Sequence, residues 1–137
     1  MKNIAITLVT LILAACTPVR VQHASPLALQ SFEFLGCSGD FEGTDARPQV
    51  WRLTSGDTVS FLTHTVAACG LSGRAPSVVG HTDALNLNYE LHSPTDVAIM
   101  CECEYWAKFT FGREAYRVNK VTFAGEQVVH KGTWPGR

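Results

Sequence analysis

Five cysteines are the residues of this 137-residue chain best suited to chemistry. Cys101 and Cys103 stand one residue apart in IMCECEYWAKFTF (residues 99–111), and Cys37 and Cys69 lie upstream. Such thiols can exchange with disulfides, hold a soft metal such as Cu(I) or Zn(II) alongside Met100, or form structural bridges. Exchange needs an exposed, low-pKa thiol, and the flanking carboxylates of Glu102 and Glu104 oppose a thiolate. A metal site needs donors on one face, yet residues 100 and 101 of a strand point to opposite faces, and no histidine is close in sequence. Structural disulfides are the expectation. Pairing Cys101 with Cys103 is unfavourable, because i and i+2 side chains of a strand lie about 7 Å apart. Each therefore takes a separate partner, one Cys37 and the other Cys69, with the assignment open.

The other chemistry-bearing residues form no recognisable set. Gly70-Leu71-Ser72-Gly73-Arg74 approaches the G-x-S-x-G nucleophile elbow, but its fifth position is Arg74 and no strand–turn–helix context surrounds it. His81-Thr82-Asp83 offers two ligands without a third and reads as a polar loop. His23, His64, His92 and His130 are scattered. Asp40-Phe41-Glu42-Gly43-Thr44-Asp45 carries three carboxylates in a spacing unlike an EF-hand, and reads as a turn-forming acidic loop. No phosphate loop or dinucleotide fingerprint occurs. These readings point to a protein that is not an enzyme, with no cofactor and no metal.

The elements that position these residues are strands. In Ala84 to His92, Leu85, Leu87, Tyr89 and Leu91 share one face, and Asn86, Asn88, Glu90 and His92 the other. A turn at residues 93–96 leads into a second alternating run, from Val97 to Phe111. Its odd positions, including Ile99, Cys101, Cys103, Tyr105, Phe109 and Phe111, face the core. Fifteen residues exceed a usual strand, so a bulge or bend is expected near Tyr105 to Ala107. Further strands are expected over 29–35, 49–54, 58–66, 116–123 and 127–130. Hairpin turns are expected at Ser55-Gly56-Asp57 and Ala124-Gly125-Glu126, and loops over 36–48 and 70–76. No segment has a helical period. Seven or so short strands predict a small all-β, disulfide-linked β-sandwich, with a β-barrel as the alternative. The passage GREAYRVNKVTFAGE (residues 112–126) resembles late hairpins of immunoglobulin-like and carboxypeptidase-regulatory-like domains, where a turn leads into Tyr-x-Val; this implies an immunoglobulin-like sandwich.

The chain begins MKNIAITLVTLILAACTP. Lys2 precedes an apolar run from Ile4 to Leu13 that is too short to cross a bilayer, which takes roughly 20 residues. This is the pattern of a processed targeting segment. Leu13-Ala14-Ala15-Cys16 resembles the lipobox of bacterial lipoprotein precursors, which implies cleavage before Cys16 and lipidation of its thiol and new amino group. By the same resemblance, Thr17 in place of an aspartate implies the outer membrane in a Gram-negative cell, with the periplasmic face expected. The expected organisation is a signal peptide over 1–15, the lipidated cysteine and tether over 16–25, and a single β domain over 26–137. The last nine residues of the tether reach about 30 Å at most, which keeps the domain near its membrane. The mature part carries ten basic and twelve acidic side chains with no charge run, which gives nucleic-acid binding no support.

The function expected is a membrane-anchored, non-catalytic binding or assembly module of the envelope, and one form of it is an inhibitor of an envelope-directed enzyme. Its partners are the bilayer, through Cys16, and a protein. The candidate binding face is the outward side of the Cys101/Cys103 strand: Met100, Glu102, Glu104, Trp106 and Lys108. Trp106 could instead be buried within the molecule. The alternative function is an envelope metal handler using Cys101 and Cys103.

Overall fold

The computed structural model describes residues 27–81, 83–95 and 99–133. The lipobox, the tether and His23 lie outside these residues, as do Thr82 and the start of the expected strand at Val97. The elements are β1 (Leu29–Asp40), β2 (Gln49–Ser55), β3 (Thr58–Cys69), β4 (Ser72–Gly80), β5 (Ala84–His92) and β6 (Ile99–Phe111). A 3-10 turn (Arg113–Arg117), β7 (Lys120–Phe123), β8 (Glu126–Gln127) and β9 (Val129–Thr133) follow. They form two sheets, ordered β1-β6-β3-β2-β9 and β4-β5-β7-β8, and neither closes into a barrel. The chain is a β-sandwich. Among the described residues no helix is long and apolar enough to cross a membrane.

Alternation along the strands builds the core between the sheets. Cys103, Tyr105, Ala107, Phe109 and Phe111 of β6 are fully buried, facing Leu85, Leu87 and Tyr89 of β5. Tyr89 is the hub, with ring centroids 5.3 Å from Phe123, 5.6 Å from Phe32, 5.7 Å from Phe34 and 6.3 Å from Phe109. Such tilted pairs add about 0.5–1.5 kcal/mol each beyond the area they bury. Two short turns set the local registers. Gly56 (φ 53°) and Asp57 join β2 to β3 with Ser55 opposite Thr58, and Ala124 (φ 52°) and Gly125 (φ 82°) join β7 to β8.

Five expectations need correction, the first being the strand over 127–130, which breaks at Val128 into β8 of one sheet and β9 of the other. The 70–76 segment is not a loop: β4 begins at Ser72. It escapes the alternation rule as an edge strand with an irregularity at Ala75 (φ 49°) and Pro76, and Gly73 in place of an apolar residue. A Cβ at Gly73 would land on the Phe34 ring, so glycine is what lets the sheets approach there. The 36–48 loop is shorter than expected, because β1 runs on to Asp40 and so contains Cys37. The strand expected over 116–123 is a 3-10 turn ending at Arg117, followed by β7 from Lys120. Finally, β6 pairs with β3 without interruption from Phe111 to Glu102. The bulge expected at Tyr105 to Ala107 belongs to β1, where Leu35 is the extra residue opposite Trp106 and Ala107. A central strand paired on both sides cannot bulge without disturbing two ladders, and an edge strand disturbs only one.

Candidate functional site: an aromatic groove on the outer sheet face

Both disulfides lie within the five-stranded sheet and tie β6 to its two neighbours. Cys103 pairs with Cys37 of β1 (Cα–Cα 5.8 Å), and Cys101 pairs with Cys69 of β3 (5.5 Å). The open assignment is thereby resolved. Among the described residues, Asp40, Cys69 and Cys101 are the one group of three potential metal donors close together. Two of its sulfurs are bonded to each other, so neither supplies a thiolate while the bridge stands.

The outward side of β6 is not uniform. Met100 is fully exposed and Glu102 is exposed near the stapled end. Glu104 is half-buried, and Lys108 forms an ion pair with Glu33 of β1. Trp106 is only 8% exposed. The second sheet does not cover it, since that lies against the opposite face. Its neighbours are on its own side: Trp51 of β2 with ring centroids 5.0 Å apart, and His64 of β3 at 4.7 Å. Register explains the cluster, because His64 stands opposite Trp106 and Trp51 opposite Leu62, one strand further out. The indole Nε1 of Trp106 donates to Ser38 Oγ (2.9 Å), which locks the ring.

The loop after β1 completes a groove of about 390 Å³ above these rings. Phe41, Gly43, Thr44 and Asp45 form its wall, and Trp51, His64, Glu104 and Trp106 its floor and side. The loop is held by Phe41 N–H donating to Glu102 O (3.0 Å). Arg47 donates to both carboxylate oxygens of Asp45 (2.8 Å each) and holds its carboxyl down at about 2. Glu104 Oε1 lies 3.7 Å from His64 Nε2, and its Oε2 accepts from Ser38 Oγ (3.5 Å). A serine, a carboxylate and a histidine thus meet, but with the carboxylate in the middle. Nucleophilic catalysis needs the histidine between the other two, where it can take the hydroxyl proton. The arrangement offers instead flat apolar surface beside carboxylates, which is the chemistry of binding.

The remaining residues singled out by sequence are dispersed. Ser72 begins β4, His81 and Asp83 lie in the β4–β5 connection, and His92 ends β5. His130 lies in β9 and Asp40 ends β1. Trp51, His64 and Phe41 were not legible as groove residues. The glycine turn gives the β2–β3 register, but nothing local reveals that β3 adjoins β6. Comparison with known proteins returned no match among family models, curated proteins or solved structures.

Proposed function

We propose that this protein is a membrane-anchored envelope lipoprotein acting as a non-catalytic binding module. It engages a protein partner through the outward face of β6 and the adjoining groove. The observation that carries the reading is the groove itself: paired indoles, flanked by Glu104 and Asp45, on a sheet stapled at two neighbouring points. A rigid platform loses little conformational freedom on binding, so more of the contact energy appears as affinity. The aromatic floor and the Glu104 carboxylate fit a basic side chain of the partner, an arginine above all, whose guanidinium stacks on indole and pairs with carboxylate. Inhibition of an envelope-directed enzyme is one outcome of such binding. The anchor rests on the lipobox resemblance of residues 13–16.

The test is site-specific photo-crosslinking in cells from Met100, which is fully exposed, with Val79 of β4 as the control on the other sheet. One partner captured from position 100 and not from 79, and lost on Glu104→Arg, is the expected result. Equal capture from both positions, or none from either, would remove the reading.

A further inference from the structure

A second cleft, of about 430 Å³, opens between the two sheets beside the β2–β9 ladder. We infer that it binds a small carboxylate with an apolar body, whose charged end is held by Arg52. The inner wall is apolar: Val50, Phe61, Val118 and Val121 are all buried core residues. Arg52 is half-buried at this wall, its guanidinium carbon 5.8 Å from the centre of the Phe61 ring. The volume is that of a site for a small organic molecule, with Thr54, Asn119 and His130 adding polar groups around the apolar wall.

Arg52 supplies the selectivity. Its guanidinium donates to three backbone carbonyls, Nη1 to Val118 O (2.7 Å) and Nη2 to Ala115 O (3.2 Å) and Tyr116 O (2.8 Å). These acceptors close the end of the 3-10 turn, and all of them are neutral. Arg47, Arg74, Lys108 and Arg113 each pair with a carboxylate, whereas Arg52 has no carboxylate within ion-pair distance among the described residues. A guanidinium has five N–H donors, so two remain for a ligand: Nε–H and one on Nη1. A half-buried cation bonded only to neutral acceptors keeps its charge uncompensated, and a carboxylate is the group that compensates it with short, charge-assisted bonds. The apolar wall then takes the ligand's hydrocarbon part.

The probe is octanoate, titrated into the purified full chain and followed by amide chemical shifts, with octan-1-ol as the uncharged match. Saturable octanoate binding is expected, with shifts gathered on β2, β9 and residues 118–121, and octan-1-ol at least tenfold weaker. Arg52→Gln should weaken octanoate at least tenfold. Because Arg52 also braces the 3-10 turn, Thr54→Phe provides a second variant: Thr54 is an exposed lining residue, and a phenyl ring there obstructs the cleft while Arg52 keeps its contacts. It too should weaken octanoate binding at least tenfold, with the folded spectrum retained. Equal affinity for the alcohol, wild-type affinity in Thr54→Phe, or no saturable binding would overturn the assignment.

Discussion

Trp51 and Arg52 are consecutive residues of one strand, and they open onto two unlike clefts. Period-two geometry sends Trp51 to the outer face of the five-stranded sheet and Arg52 to the face that meets the other sheet. On the outer face, burial comes from same-side neighbours and a loop: Trp106 and His64 are as covered as core residues with no sheet above them. On the inner face, burial comes from the opposing sheet, and the gap beside β9 leaves a cation against an apolar wall. The outer cleft has carboxylates and aromatic rings, and the inner one has a guanidinium with only carbonyl partners. One β-sandwich thus sets carboxylates and a guanidinium on the two sides of one strand.

The largest test of this contrast is Trp106→Ala. If the outer cluster is a second, smaller core, the variant loses about 3–5 kcal/mol in chemical denaturation, as for a buried aromatic. A loss below about 1 kcal/mol would reduce the outer face to ordinary surface. Next are the staples beneath the groove. Replacing either cysteine pair by alanines should cost about 2–4 kcal/mol. Cys37–Cys103 spans 66 residues and Cys69–Cys101 spans 32, so chain entropy makes the first removal costlier by about 0.6 kcal/mol. Equal or reversed costs would show that local packing outweighs loop closure.

On the inner side, Gly73→Ala places a methyl group on the Phe34 ring and should destabilise by about 1–3 kcal/mol, read from the denaturation midpoint. Smaller still is a pair of hydroxyl deletions with opposite signs. The Tyr105 hydroxyl donates to Ala68 O and accepts from Leu71 N (2.9 Å each), so Tyr105→Phe should lose about 1–2 kcal/mol. The Tyr89 hydroxyl is buried without a hydrogen-bond partner among the described residues, and burial pushes its pKa up. Tyr89→Phe should therefore be neutral or stabilising by up to about 1 kcal/mol. A loss there would reveal a partner for that hydroxyl.

The smallest effect is acid dependence of the groove wall. Arg47 lowers Asp45 from its ordinary 3.8 to about 2, first through the side-chain hydrogen bond. A depressed carboxyl stabilises the folded loop fully above its unfolded value and loses that contribution as pH falls through about 2. Titration of the Asp45 carboxyl by NMR should find it still charged at pH 3. A midpoint at 3.8 or higher would mean that the pair does not hold the wall.

Much of the frame was readable in advance. The β5 limits, both hairpin turns, the inward face of β6 and separate partners for Cys101 and Cys103 all follow from alternation, turn residues and strand geometry. β4 was hidden because Gly73, Arg74, Ala75 and Pro76 carry no alternating pattern; its signal is a missing side chain opposite Phe34, which only contact reveals. The groove was half legible. Trp106 stood out on an outward position, but its neighbours Trp51 and Phe41 lie more than fifty residues away in sequence.

What the amino-acid order determined by itself was local: which side of each strand a residue takes, where the chain turns, and that the thiols of a β strand at i and i+2 must look elsewhere. Those outcomes depend on backbone geometry over a few residues. Only the tertiary structure decided that β3 and β1 flank β6, and hence which cysteine meets which. It also decided that Trp51, His64 and Trp106 share one groove while Arg52 faces another. Strand order is set by how whole faces pack against each other, and no short segment carries that information.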